Sequence, residues 1–160
     1  MPPIVIVPYR ADWPAEFQDV ARDLRRILGV AALRIDHIGS TSVPGLAAKD
    51  IIDVQVTVAD LVSDLSVAMT TAGYQAFDRY SRDHVPPGMD PEPAAAWAKL
   101  FFRPGAGARP ANIHIRVAGR PNQRFALLFR DYLRANPPSA AAYAELKRRL
   151  AAQLADPAMY

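Results

Sequence analysis

The segment HIGSTSVPGLAAKDIIDVQVTV, His37 to Val58, constrains this chain more than any other. Its second half is apolar, β-branched core-strand material, yet Asp53 interrupts it. An unpaired carboxylate deep among aliphatic side chains costs several kcal/mol. Asp53 must therefore be paired, lined by solvent, or turned toward a cation. Side chains alternate along a strand, so Asp53 and Gln55 share one face while Ile52, Val54 and Val56 share the other. The first pair is expected to line a cleft and the second set to pack beneath helices. The preceding loop suits close approach by an anion: Gly39 has no side chain, Ser40, Thr41 and Ser42 carry hydroxyls, and Lys49 carries positive charge. Two plainer expectations compete. Asp53 is equally suited to an internal ion pair with Lys49 or an arginine, and the hydroxyls to capping loop backbone. Gln55 is placed either to hydrogen-bond Asp53 or to touch the same ligand.

The flanking sequence reads as one α+β domain over residues 1–160, a mixed or antiparallel sheet backed by helices. Ile4–Tyr9 is a short β-branched run and an expected strand. Asp12 as N-cap, Pro14 in the first turn and Phe17, Val20, Leu24, Ile27 and Leu28 at helical spacing predict a helix that stops at Gly29. LRIDHI and IIDVQVTV read as strands. Asp60 is expected to cap a helix through Leu61, Leu65 and Met69, closed by Gly73. YQAF is a weaker strand. Arg79 to Ala95 is too proline-rich for regular structure and has the length of a lid, binding loop or mobile segment. WAKLFFRP and ANIHIRVAG pair as antiparallel strands across GAGARP. One amphipathic helix then carries Phe125, Leu128, Phe129, Tyr132 and Leu133 to a stop near Pro137. Another follows a Ser139 cap with Tyr143, Leu146, Leu150 and Leu154. The Phe101-Phe102 pair and the Phe125 stripe are expected in the core.

Charge and composition narrow the function. The chain has no cysteine, which excludes disulfides and thiolate metal sites and fits a cytoplasmic protein. A formal net charge of +3 with scattered arginines permits anionic ligands but makes no nucleic-acid-binding face. No apolar run is long enough for a bilayer, and the N-terminus lacks the form of a signal peptide.

Further candidates lie beside the loop. His37 precedes it, and His114 sits on a strand that can face it. Either suits proton transfer or, with Asp53, a Zn²⁺ or Mn²⁺ ligand set, and equally a satisfied core position. Arg116, on the His114 face, can clamp phosphate. Arg124 is expected at the surface and Asn122 in the first turn of its helix. Arg130, Arg134, Lys147, Arg148 and Arg149 are expected on solvated helix faces with Asp131 and Glu145. His84 reads as a surface histidine.

The Ile38-Gly39-Ser40 turn, the spacer from Thr41 to Ile52 and the Asp53-Val54-Gln55-Val56 strand resemble the nucleotidyltransferase superfamily. That resemblance implies Gly39 and Ser40 on nucleotide phosphates and Asp53 on Mg²⁺ or Mn²⁺. Gln55 stands where the second metal-binding acid belongs, and an amide oxygen is the weaker ligand. NIHIRV, in the place of the third-acid strand, offers Asn112 and His114 instead of an acid. Taken with YRADWPAEF and FALLFRDYLRANP…YAELKRRLA, the segment resembles the bacterial GrpB family, and particularly the GrpB-type domain of actinobacterial dephospho-CoA kinases. This implies a cleft for a nucleotide or other phosphorylated small molecule, with nucleotidyl transfer through Asp53 and His114 or His37. The alternative is a non-catalytic accessory module for a partner such as dephospho-CoA kinase. The chain itself has no GxxxxGK[ST] phosphate loop. The resemblance also leads one to expect further helical sequence after Tyr160.

Overall fold

A computed structural model describes residues 4–153. Helix α1 (Trp13–Leu28) starts with proline in its first turn and buries Trp13, Phe17, Val20, Leu24 and Leu28 along one stripe. It ends where Gly29 takes φ +53°. Asp12 does not cap it. Its carboxylate instead pairs with Arg10 at 2.6 Å, and its helical backbone torsions turn the side chain away from the free N–H groups.

Strands β1 (Arg34–Ile38), β2 (Ile52–Val58), β3 (Gln75–Ala76), β4 (Leu100–Arg103) and β5 (Ala111–Val117) form one mixed sheet in the order β1-β2-β5-β4-β3. Only the central β2–β5 pair is parallel, with Asp53 beside Asn112 and Gln55 beside His114. Ile4–Tyr9 is not a strand. It contributes a single bridge, Val7 to Ala48, because Pro8 has no N–H with which to extend a ladder.

Ile52, Val54, Val56 and Val58 join Ile113 and Ile115 beneath α1 and α2 (Ser63–Thr71) in the main core. Asp60 does not cap α2; its Oδ1 accepts the N–H of Leu61, and the helix begins two residues later. The opposite sheet face is polar and meets α3 (Pro121–Ala135). Only Asn136 separates α3 from α4 (Pro137–Gln153). Pro137 opens α4, so Ser139 lies inside it and bonds the Tyr132 hydroxyl instead of capping. Leu154 falls outside the described residues.

The α3 stripe corrects the expectation of a core face. Leu133 is buried and Phe129 packs beside it, but Phe125, Leu128 and Tyr132 are exposed. The side of α3 that meets the sheet is polar because the sheet face it covers is polar: Asn122 and Gln123 are buried there. No helix among the described residues is long and apolar enough to cross a membrane.

Candidate functional site

The loop after β1 turns at Gly39 (φ +68°) into a short 3-10 turn, Ser40–Ser42. Ser42 spends its hydroxyl inside that turn, donating to the Gly39 carbonyl at 2.5 Å. Two arginines of α3 hold the turn from outside. Arg130 donates to the His37 carbonyl (3.2 Å) and Arg134 to the Ser42 carbonyl (2.9 Å). Neither is simply a solvated helix charge. Their targets are backbone carbonyl oxygens on the two sides of Gly39.

Asp53 looks into a cleft of about 300 Å³ that also has Gly39, Ser40, Thr41, Lys49, Arg103, Asn112, Tyr143 and Lys147 in its walls. Asn112 Nδ2 donates to Asp53 Oδ1 at 2.9 Å, and Asn112 Oδ1 in turn accepts from Arg103 Nε at 3.1 Å. The Arg103 guanidinium lies over the rings of Phe77 and Phe101, 5.0 and 5.4 Å from their centroids, which fixes its approach to the cleft. Lys147 enters from α4 and donates to Ser40 Oγ at 2.5 Å. Burial lowers its pKa to about 8, with Lys49 adding to that and Asp53 opposing it. Burial lowers Lys49 too, Asp53 opposing and Arg103 reinforcing. One carboxylate thus faces three cationic side chains.

Arg103 and Lys147 are the site residues that sequence reasoning missed. Lys147 follows buried Ala140 and Ala144 at helical spacing, so the small-residue face of α4 was the available signal.

Three expected site residues sit elsewhere. His37 is on the α1 side of the sheet, where its ring stacks on Phe17 at 4.8 Å and its Nε2 meets Thr41 Oγ1 at 2.9 Å. Its register opposite Val54 puts it on the face away from Asp53. Gln55 is fully buried: its Nε2 donates to the Gln123 carbonyl, and its Oε1 accepts from Arg116 Nη1 at 2.8 Å. Arg116 is buried as well, with Nε and Nη2 on the two oxygens of Asp83 at 2.8 and 2.9 Å. A guanidinium so occupied does not reach the cleft.

Asp83 is the acid that no sequence pattern marked, since it lies in an aperiodic proline-rich stretch. It also takes Lys99 Nζ at 2.6 Å and Asn122 Nδ2 at 3.0 Å. Burial would raise its pKa, but the Arg116 and Lys99 contacts win and hold it well below the ordinary carboxylate range. The segment 79–95 is therefore pinned at Asp83, and none of it lines the Asp53 cleft. His84 is exposed.

His114 does reach toward Asp53, with Nε2 3.9 Å from Oδ1. Its Nδ1 accepts from Lys99 Nζ (3.1 Å) and lies 3.3 Å from Arg116 Nη2. Both neighbours are only donors, so Nδ1 is bare, the ring is neutral and the proton sits on Nε2, toward Asp53. Burial holds its pKa near 4, Arg116 and Lys99 assisting against Asp53. A ring in that state turns its N–H toward Asp53 and has no lone pair left for a metal or a substrate proton.

The donor set does not fit a protein-held divalent ion. Asp53 brings the single carboxylate of the cleft, and among the described residues no three His, Cys, Asp or Glu side chains converge on one point. A larger groove of about 780 Å³ lies between residues 43–47 and helices α3 and α4, but apart from Arg134 and Arg148 its lining is apolar and backbone.

The chain belongs to the family described as GrpB protein, whose sequence profile matches residues 3–160. It is 39% identical to a dephospho-CoA kinase of Mycolicibacterium paratuberculosis, over 91% of this chain and 39% of that protein. It is 36% identical to the UPF0157 protein YqkA of Bacillus subtilis, over 96% of this chain and 41% of that one. The chain thus spans about two fifths of the length of these curated relatives. Among solved structures, the conserved protein GrpB from Enterococcus faecalis superposes with a TM-score of 0.72 at 32% identity, covering 92% of this chain and 82% of that one. The Cid1 poly(U) polymerase with MgGTP bound superposes at 0.50 and 12% identity, over 82% of this chain and 40% of that one. That second likeness is one of fold: the domain has the nucleotidyltransferase-like α+β architecture.

Proposed function

We propose that the Asp53 cleft binds the phosphate group of a nucleotide or another phosphorylated small molecule. The observation that carries this reading is that Lys49, Arg103 and Lys147 line one cleft with the Gly39–Ser40 turn and a single carboxylate. Such a hollow holds net positive charge, and two lysines already shifted by burial gain from an anion. The reading is one of binding more than of nucleotidyl transfer. Transfer on this fold calls for paired anionic oxygens, and here Gln55 is turned into a buried network and Asn112 bonds Asp53. Asp53 then serves to place Asn112 and balance the cations.

Thermal unfolding with ATP, GTP, CTP, dephospho-CoA and inorganic phosphate tests the proposal. A ligand at a hundredfold excess over Kd adds about 2.7 kcal/mol, a rise of several degrees in a domain of this size. Arg103→Ala should reduce that rise. If none of these compounds at millimolar concentration shifts the wild type, the reading is wrong.

A second reading is supported by the relatives' names and by the exposed Phe125, Leu128 and Tyr132 on α3: an accessory module that contacts a dephospho-CoA kinase. Co-elution with such a kinase domain, lost in Leu128→Glu, would support it. Separate elution at micromolar concentration would count against it.

A further inference from the structure

We propose that this cleft takes its phosphate without a divalent ion, the ammonium of Lys147 on Ser40 supplying the charge that a metal supplies elsewhere on this fold. The inference rests on the phosphate-binding reading and goes beyond it by fixing how the negative charge is met.

Apart from Asp53 Oδ2, the oxygens and nitrogens that a metal would need are already hydrogen-bonded. Asp53 Oδ1 accepts from Asn112, and Asp53 Oδ2 lies against Gly39. The Asn112 carbonyl oxygen accepts from Arg103 and the Gln55 oxygen from Arg116. His114 presents a hydrogen, not a lone pair, toward Asp53. Mg²⁺ is held by hard anionic oxygens, and a lone carboxylate among cations leaves a second cation repelled.

Lys147 is placed for the substitution. Ala140 and Ala144 on its face of α4 are small enough to bring the helix against the loop, and the Lys147 side chain is buried, 9% exposed. Its ammonium lies 5.3 Å from the Tyr143 ring centroid and spends one contact on Ser40 Oγ. An ammonium has three donors, so two remain for phosphate oxygens. The charged and titratable groups that share this hollow are Asp53, Lys49, Arg103 and Tyr143. A bound anion favours the protonated lysine, so binding near pH 8 takes up protons.

Inorganic pyrophosphate is the probe, titrated calorimetrically into the full chain with EDTA and again with Mg²⁺. The expected result is binding in EDTA, no more than threefold tighter with Mg²⁺, and proton uptake at pH 8 in buffers of different ionisation enthalpy. Lys147→Met should weaken binding at least tenfold and abolish the proton uptake. Lys147→Arg should retain part of the affinity, and unfolding curves for both variants establish that they fold. Binding that requires Mg²⁺ and disappears in Asp53→Asn overturns this inference while leaving the phosphate reading intact. Binding in EDTA that Lys147→Met leaves unchanged also overturns it. No binding under either condition refutes the phosphate reading itself, and this inference with it.

Discussion

Asp53 Oδ2 occupies the space that a side chain on residue 39 would need: a Cβ built on Gly39 would stand 2.6 Å from it. Real Cβ atoms do not approach oxygen so closely, and Gly39 also holds φ +68°, where L-residues are strained. The contact ties the Gly39–Ser42 turn to the one acid in the cleft. Gly39→Ala should therefore destabilise the fold by about 1–3 kcal/mol and displace Asp53. Urea unfolding reads the first effect and the thermal response to ATP the second. A variant with wild-type stability would mean that the turn can relax away from Asp53.

Gln55 separates a structural role from a ligand-binding one. Replacing it with leucine leaves Arg116 Nη1 and the Gln123 carbonyl without their buried partner, at a cost of about 1–3 kcal/mol. The expected pattern for Gln55→Leu is a lower unfolding midpoint with the ATP response retained. Normal stability with the response gone would return Gln55 to the cleft.

The Asp83 cluster should govern the stability that is lost below about pH 4. Asp83→Asn leaves buried Arg116 and Lys99 without their counter-charge and should cost about 3–5 kcal/mol at neutral pH. Because the folded pKa of Asp83 is depressed, its stabilisation is complete above the unfolded value of about 4 and declines as pH falls below it. The gap in unfolding free energy between wild type and variant should accordingly narrow as pH falls from about 4 to 2. A constant gap across that range would refute the ion-pair account.

His37 and His114 both have folded pKa values lowered to about 4, burial being the main cause in each. The unfolded chain takes up protons near pH 6.5 while the folded chain refuses them. Stability must therefore fall as pH drops from about 6.5 to 4, by on the order of 3 kcal/mol for each ring, and level off below. Imidazole proton resonances should titrate with midpoints near 4. A midpoint near 6.5 for His114 would mean that its ring is not buried as the structure has it.

The parts that rest on local chemistry were readable along the chain. The stripe from Phe17 to Leu28 fixed α1, alternation fixed which residues of β2 face Asp53, and Pro137 ended α3. The Gly39–Asp53 pairing was legible because a carboxylate in an aliphatic strand needs a reason within reach. Which charges answer Asp53 depended on packing between segments far apart in the chain. Arg103 comes from a distant strand with nothing in its neighbours to distinguish it from a solvated charge, and Lys147 comes from the last helix, where only the small residues Ala140 and Ala144 on its face hint at burial. The same holds in reverse for Arg116 and His37. One lies on the cleft face but is taken by Asp83 from an irregular loop, and the other falls on the far face by strand register. Hydrophobic periodicity reports which side of an element avoids water, whereas the partner of a buried charge is set by long-range packing, which periodicity does not encode.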